Sequence, residues 1–128
     1  RVFMMNKIHY ILIVDDEPIN QLILDEELSD EFELDFADNG EDCLKSIQNR
    51  CPDLLLLDGK MPNMSGIEVC QFIRASDNQS RKIPIIMLSA NASQIEKKKG
   101  LAAGANVYLS KPFDMDHLQQ LIRTHISN

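Results

Sequence analysis

The chain has 128 residues, of which 44% are hydrophobic, and its formal net charge is −7. That length and that apolar fraction suit one compact domain with a hydrophobic core. The acidic balance argues against direct binding to nucleic acid or to an anionic membrane, although it leaves protein and metal partners open.

The start of the chain and its cysteines bear on organisation and location. Residues 1–6 are predicted to be an N-terminal extension or a cloning remnant, since the sequence opens on arginine, and the domain is predicted to cover residues 7–128. The aliphatic runs are too short to cross a bilayer, so no membrane insertion is expected. Three cysteines without a Cys-x-x-Cys pair predict buried, reduced thiols of a cytoplasmic protein. They are Cys43, Cys51 and Cys70.

Four short apolar runs predict strands that are covered on both faces, and one alternating segment predicts an edge strand. The alternating segment is Glu33–Ala37, in which polar and apolar residues take turns. The continuous runs are Tyr10–Val14, Leu54–Leu57, Ile85–Leu88 and Val107–Leu109.

Apolar residues at helical spacing predict five helices between and after these strands. Pro18 fits the first position of helix one, whose core-facing residues are expected to be Ile19, Leu22 and Ile23. The fourth helix, around Ile95–Ala103, has a thin apolar stripe and is expected to be loosely held. The apolar positions of the others are Leu44, Ile47 and Cys51 in helix two, Val69, Cys70 and Ile73 in helix three, and Leu118, Leu121, Ile122 and His125 in helix five.

Strands and helices therefore alternate in five β-α units, which predicts an α/β fold with a parallel sheet and helices on both faces. The flavodoxin-like strand order 2-1-3-4-5 is taken over from known doubly wound sheets, in which ligands bind beyond the carboxyl ends of the strands. In that order four strand ends carry polar residues on one rim. They are the pair Asp15 and Asp16, then Asp58, Ser89 and Lys111.

These residue types in this arrangement point to phosphoryl transfer. Carboxylates held close together repel one another, and a hard cation such as Mg²⁺ relieves the repulsion while keeping waters that a phosphate can replace. A lysine pairs with an incoming phosphoryl group, and a serine hydroxyl donates to one of its oxygens. The carboxylate of Asp58 would be the nucleophile and would form an acyl phosphate.

Each rim residue also has a purely structural interpretation. The acidic run Asp15–Glu17 could cap the first helix, and Asp58 could cap the turn that follows it. Ser89 could be an ordinary strand-end hydroxyl, and Lys111 a solvated lysine. The order of acid pair, acid, hydroxyl and lysine at successive strand ends favours the functional interpretation of the set.

Four stretches carry a resemblance to a known family: "ILIVDDEP", "LLLLDGKMPNMSG", "PIIMLSANA" and "VYLSKPF". They resemble the receiver domain of two-component response regulators, and the resemblance runs from about Lys7 to the end of the chain. It implies a flavodoxin-like (βα)₅ domain that acts as a signalling switch. Such a domain is not an enzyme in the usual sense, because it catalyses only its own phosphorylation and dephosphorylation.

The resemblance also implies the metal site. Asp58 would be the phosphoacceptor, taking its phosphoryl group from a phosphohistidine of a histidine kinase. Asp16 would bind Mg²⁺ directly and Asp15 chiefly through water, with Asp58 and the backbone carbonyl of Lys60 as further ligands.

The remaining implied roles concern the switch. Ser89 matches the switch hydroxyl of the family, Lys111 its invariant lysine, and Tyr108 the aromatic residue that reorients on activation. The surface expected to change is helix four, strand five and helix five. The bond between Lys111 and Pro112 would be cis.

Two softer stretches, "DDEPIN" and "LSANA", look most like receivers joined to hybrid sensor kinases. The kinase would then act in trans or lie in the same full-length chain, and a histidine phosphotransfer protein is a further expected partner. Three positions depart from the common pattern. Ser89 stands where threonine is commoner, Gly59 where a bulkier apolar residue is usual, and Lys60 at a variable position that faces the phosphoryl group.

Other functions meet specific objections. A haloacid-dehalogenase-type phosphohydrolase needs a second acid two residues after its nucleophile, where this chain has Lys60. A flavodoxin-like electron carrier needs a phosphate-binding loop after strand one, and Asp15–Glu17 would repel a phosphate there. The sequence has no G-x-G-x-x-G or Walker motif. The remaining rival is a degenerate receiver that only docks protein partners, and the complete set of rim residues argues against it.

Overall fold

The computed structural model describes residues 8–126, so the predicted extension at residues 1–6 lies outside the described residues. Within this range five strands alternate with five α-helices, and a short 3₁₀ helix precedes the fourth strand. The elements are β1 Tyr10–Val14, α1 Pro18–Leu28, β2 Glu33–Ala37, α2 Gly40–Asn49, β3 Leu54–Asp58, α3 Gly66–Arg74, the 3₁₀ helix Gln79–Lys82, β4 Ile85–Ser89, α4 Gln94–Ala103, β5 Val107–Ser110 and α5 Met115–His125.

The strands form one parallel sheet of order β2-β1-β3-β4-β5, which confirms the predicted topology. The chain leaves β1 to form β2 on one side and then returns to form β3 on the other. The strand order therefore reverses between β1 and β3, and this is where a crevice opens at the carboxyl ends of the strands. No helix within residues 8–126 is both long and apolar enough to span a bilayer.

Alternate residues of the central strands fill two separate cores. Leu12 of β1 and Leu55 of β3 belong to the core that α2, α3 and α4 cover, whereas Ile11 and Leu54 belong to the core under α1 and α5. Each of these side chains is completely buried. Burial on both faces explains why these strands are continuous apolar runs, and removing one such side chain by Leu→Ala would cost about 2–5 kcal/mol. The edge strand β2 alternates in exposure, as its sequence predicts.

The prediction for the buried face of α1 is wrong. Ile19, Leu22 and Ile23 are 59%, 54% and 47% exposed, while Leu24 and Leu28 face the core. Aliphatic residues occupy more than half of the circumference of this helix, so its spacing alone does not reveal which side packs. The four-residue step from Leu24 to Leu28 determines the buried face.

The prediction that all three cysteines are buried is also wrong. Cys43 and Cys70 are buried free thiols, and burial raises the pKa of Cys43 to about 12. Cys51 is exposed. Helix α2 ends at Asn49, so Cys51 lies in the following loop rather than on the apolar face of the helix.

Candidate functional site

Three aspartates meet in the crevice between β1 and β3. Asp15 and Asp16 follow β1 directly, and Asp58 is the last residue of β3. Asp15 and Asp58 are buried, whereas Asp16 is exposed. One carboxylate oxygen from each residue lies within 4.8 Å of the other two. The structure thus brings together the acids that the sequence predicts on one rim, and we refer to Asp15, Asp16 and Asp58 as the acid cluster.

Lys111 is the cation that faces the acid cluster. Its Nζ lies 3.6 Å from Asp15 Oδ2 and 3.8 Å from Asp58 Oδ1. Burial raises the pKa of Asp58 and the charges of Asp15 and Asp16 add to the effect, while the Lys60 N–H and the Lys111 ammonium oppose it. One ammonium opposite three carboxylates leaves an excess of negative charge in the crevice.

The loop between β1 and α1 is fixed by a long-range contact that no sequence pattern signals. The side-chain amide of Gln21 donates to the backbone carbonyl of Asp15 at 2.7 Å and to Asp38 Oδ1 at 2.8 Å. Asp15 Oδ1 accepts the N–H of Glu17 at 2.9 Å, and Glu17 rather than Asp15 is the N-cap of α1. The structural interpretation of the acidic run therefore holds for Glu17, which occupies the cap position without a side-chain cap hydrogen bond, while Asp15 belongs to the crevice.

The loop after β3 wraps closely around Asp58. Asp58 Oδ1 accepts the N–H of Lys60 at 3.1 Å, so the turn contact of the structural interpretation coexists with membership of the acid cluster. Gly66, the first residue of α3, packs against the same backbone. A Cβ at Gly66 would lie 2.5 Å from the carbonyl oxygen of Asp58, so glycine is what lets the helix begin this close to the site.

Ser89 ends β4, as the sequence predicts, and it pairs with Ser110 in the ladder with β5. The side chain is buried. Its Oγ accepts the N–H of Asn91 at 3.2 Å, and its backbone carbonyl accepts the N–H of Lys111 at 2.8 Å. Ser89 is therefore on the predicted rim with its hydroxyl engaged by Asn91.

A cavity of about 460 Å³ lies beside Ser89, between the β3–α3 loop and α4. The exposed side chain of Lys60 lies at its edge. The other lining residues are Gly59, Met61, Ser65, Ile67, Ser89, Asn91, Glu96 and Lys99. Sequence reasoning missed Glu96 and Lys99, because only the path of the chain after β4 brings α4 to this side of the rim.

Tyr108 is already inside the fold. Its side chain is 8% exposed, and its hydroxyl donates to the carbonyl of Asn91 at 2.6 Å. The ring lies under α4, where a Cβ on Gly100 would come within 2.7 Å of Tyr108 Cδ2. The ring is therefore buried before any activation, and the reorientation of Tyr108 that the resemblance implies stays a prediction. The bond between Lys111 and Pro112 is cis, as the resemblance implies.

Comparison with known proteins assigns this site to a family. The family described as "Response regulator receiver domain" matches residues 11–123 of the chain. The chain belongs to this family. Receiver domains are signalling domains of two-component systems rather than enzymes in the usual sense.

The relatives include a transcriptional regulatory protein and a sensor protein. The phosphate regulon transcriptional regulatory protein PhoB of Rhizobium meliloti is 38% identical over 114 residues, covering 88% of this chain and 50% of that protein. The sensor protein EvgS of Escherichia coli is 38% identical over 118 residues, covering 91% of this chain and 9% of that protein. The chain thus spans half or less of these two relatives, and the activities of the whole proteins do not transfer with the match.

Solved receiver domains share the fold closely. The receiver domain of the sensor histidine kinase PA1611 of Pseudomonas aeruginosa, described with a magnesium ion coordinated in its active site cleft, has a TM-score of 0.85 at 32% identity and covers 95% of this chain and 100% of that chain. The chemotaxis protein CheY4 of Vibrio cholerae has a TM-score of 0.86 at 29% identity, with 94% of this chain and 100% of that chain covered.

Proposed function

We propose that this receiver domain is a phosphorylation-dependent switch that accepts a phosphoryl group on Asp58 in a Mg²⁺-dependent reaction. One observation carries the proposal. The buried carboxylate of Asp58 lies beside two further aspartates and within 3.8 Å of the Lys111 ammonium, at the point where the strand order reverses.

The donor set fits Mg²⁺. The acid cluster offers hard oxygen ligands within 4.8 Å of one another, and its charge exceeds what Lys111 balances. Asp16 and Asp58 would hold the ion directly, Asp15 chiefly through water, and Lys60 through its backbone carbonyl. When bound, the ion would neutralise the carboxylates and bind phosphoryl oxygens. The related receiver of PA1611, with its magnesium ion in the cleft, supports this assignment.

The chain's own residues would perform the transfer. A carboxylate oxygen of Asp58 attacks phosphorus, and the new P–O bond of the acyl phosphate forms as the P–N bond to the donor histidine breaks. The P–N electron pair stays on the histidine ring, which leaves as neutral imidazole because its other nitrogen already carries a proton. Lys111 would exchange its present carboxylate partners for a phosphoryl oxygen, and Ser89 would turn its hydroxyl from Asn91 to donate to another.

The response would reach the surface formed by α4, β5 and α5. Asn91 links Ser89 to Tyr108, because its N–H donates to Ser89 Oγ and its carbonyl accepts the hydroxyl of Tyr108. Turning Ser89 removes the first of these bonds, which frees the start of α4 to shift against Tyr108. The first six residues of α4, Gln94–Lys99, have no fully buried side chain and offer little resistance.

The proposed phosphodonor is a histidine kinase, acting in trans or from the same full-length chain, and a histidine phosphotransfer protein is the proposed recipient in a relay. Both EvgS and PhoB are relatives at 38% identity, which supports a kinase partner without choosing between the two arrangements. The proposed location is the cytoplasm, which the three free cysteines support. The acidic charge supports a protein rather than a nucleic acid as partner.

The test is incubation with acetyl phosphate and Mg²⁺, followed by intact mass. We expect the mass gain of one phosphoryl group in the wild type, loss of the gain in Asp58→Asn or with a chelator, and no effect of the exposed control Asp77→Asn. A degenerate receiver that only docks partners would show no gain at all. A gain that persists in Asp58→Asn, or that is undiminished by the chelator, would contradict the proposal.

A further inference from the structure

Gly59, which follows β3, and Ser89, which ends β4, are two small residues that face one another across the rim. A Cβ built on Gly59 would lie 3.0 Å from Ser89 Cβ and 3.1 Å from Ser89 Oγ. Both distances are shorter than ordinary van der Waals contact, so a side chain at residue 59 would press directly on the serine. The next nearest atom, Met87 Cγ, would be at a normal 3.6 Å.

The backbone conformation does not require glycine at this position. Among residues 8–126 only Asn63 and Gly104 have a φ in the left-handed region, so any L-residue could adopt the backbone of Gly59. The contact of Gly66 is of another kind, because a Cβ there would strike the backbone of Asp58. Glycine at residue 59 leaves room for the side chain of Ser89.

Ser89 cannot retreat from a crowded position by moving its backbone. Its carbonyl accepts the N–H of Lys111 at 2.8 Å, and it pairs with Ser110 in the β4–β5 ladder. The hydroxyl can still turn about the Cα–Cβ bond. In the observed orientation Oγ accepts the N–H of Asn91. Turning the hydroxyl would relieve the 3.1 Å contact with Oγ but not the 3.0 Å contact with Cβ, so crowding at residue 59 acts against this orientation through Oγ alone.

We propose that Gly59 is a positioning residue that stabilises the resting orientation of the Ser89 hydroxyl, in which the hydroxyl is held by Asn91 and withheld from Asp58. The inference rests on the proposed phosphorylation of Asp58 and explains how this chain keeps its switch hydroxyl at rest. A methyl group at residue 59 destabilises the resting orientation. The hydroxyl then becomes available to a phosphoryl group without first giving up its bond to Asn91.

The experiment measures the Asn91 amide by ¹⁵N NMR in the metal-free, unphosphorylated protein. In Gly59→Ala we expect the Asn91 resonance to move toward its position in Ser89→Ala, with several-fold faster hydrogen exchange, because both variants remove the acceptor of that N–H. In the Ser89→Gly background, which lacks both contacted atoms, Gly59→Ala should add no further change. The matched control is Gly40→Ala, which crowds Val69 and Met64 instead of Ser89 and should leave Asn91 unmoved.

The second measurement is the rate of phosphorylation by acetyl phosphate with Mg²⁺. We expect Gly59→Ala to react several-fold faster than the wild type, and this gain to vanish in the Ser89→Ala background. An unchanged Asn91 amide, a shift that persists without the Ser89 hydroxyl, or a rate that does not rise would each overturn the proposal. The amide measurement uses no phosphodonor, so failure of phosphorylation in the wild type would refute the proposed function separately.

A second substitution tests whether Gly59→Ala acts through its contact with Ser89 or through general loss of folding. The cavity beside Gly59 gives the added methyl group somewhere to relax, so Gly59→Ala should fold with a modest loss of melting temperature. In the Gly59→Ala background, Ser89→Gly removes both atoms that the methyl group would strike. The double variant should therefore recover the melting temperature lost in Gly59→Ala. If Ser89→Gly gives no recovery, the contact between residues 59 and 89 does not carry the effect.

Discussion

Lys111 lies against Asp58, with 3.8 Å between its Nζ and Oδ1 of the carboxylate, and it contacts Asp15 at 3.6 Å on its other side. In the absence of metal this lysine is the counter-ion of two buried aspartates. The same ammonium would repel a divalent cation in the crevice and attract a phosphoryl group. The position of Lys111 therefore opposes metal binding and favours phosphoryl binding.

Lys111→Met tests this opposition. Removing the ammonium should strengthen Mg²⁺ binding by about tenfold, which corresponds to about 1.4 kcal/mol, since the cation no longer shares the crevice with another positive charge. Isothermal titration calorimetry with Mg²⁺ gives the affinity. The control Lys82→Met removes an exposed lysine of the 3₁₀ helix and should leave the affinity within error. Weaker binding in Lys111→Met would show that the lysine supports the metal site.

The stability of the metal-free fold should depend on the charge of Asp58. Burial is the main cause that raises the pKa of Asp58 in the folded state. A raised folded pKa means that the stability due to the protonated form is complete below the unfolded pKa, about 4, and is lost as the pH rises through the folded pKa. At neutral pH the charged carboxylate therefore costs stability.

Asp58→Asn should accordingly raise the melting temperature at pH 7 by a few degrees, or about 1 kcal/mol, when chelator is present. The difference from the wild type should shrink as the pH falls through the folded pKa, and it should vanish only below about 4, where Asp58 is protonated in both states. Thermal melts across this range measure the effect, with the exposed Asp77→Asn as the reference substitution. An equal gain at every pH would exclude charge as the cause.

Activation should move the start of α4 more than its end. Arg74 donates to the carbonyl of Gly104 at 3.0 Å, and the thiol of Cys70 contacts the carbonyl of Ala103, so α3 holds the C-terminal end of α4. Hydrogen exchange with and without beryllofluoride and Mg²⁺ should change most in residues 90–99 and less in residues 100–108. Changes confined to α2 and α3 would refute this route.

Much of the fold is predictable because its strands are buried on both faces. Leu54–Leu57 and Ile85–Leu88 are too short for helices and too apolar for loops, and their alternation with helical segments leaves a parallel sheet as the solution. The face of α1 is not predictable in this way. Ile19, Leu22 and Ile23 are as apolar as the buried Leu24, and only the position of the helix on the sheet distinguishes them.

The acid cluster is predictable because its members end neighbouring strands, and strand ends meet once the sheet order is known. The contacts that fix the site are not predictable from the sequence. Gln21 of α1 donates to Asp38, which follows β2, and Gly59, which follows β3, meets Ser89 of β4. Neither pair has a local signal, because each depends on side-chain placement between segments that are distant in sequence.

The thiols should divide into one reactive and two protected groups. Cys51 is exposed, whereas burial protects Cys70 and raises the pKa of Cys43 to about 12. Native protein treated with iodoacetamide at pH 8 should gain one adduct, which is lost in Cys51→Ser, and denatured protein should gain three. Two or more adducts on the native wild type would show that a core thiol opens to solvent.

The lifetime of the phosphoryl group should depend on Lys60. Hydrolysis requires a water in line with phosphorus, held by side chains beside the acceptor. Lys60 lies two residues after Asp58 and lines the cavity next to Ser89 together with Asn91. A lysine is protonated at neutral pH and cannot act as a base, and the side-chain oxygen of Asn91 already accepts the N–H of Ser93 at 3.0 Å. The rim therefore offers a poor site for activating water.

We expect the Lys60 ammonium to pair with a phosphoryl oxygen and obstruct the approach of water, which gives a long-lived acyl phosphate suited to a relay. Lys60→Ala and Lys60→Asn should then lose the phosphoryl group several-fold faster than the wild type, measured by the decay of the phosphorylated mass at saturating Mg²⁺. Lys82→Ala should decay at the wild-type rate. Unchanged or slower decay in both Lys60 variants would mean that the side chain does not shield the phosphoryl group, and its role would then be sought in contact with the kinase.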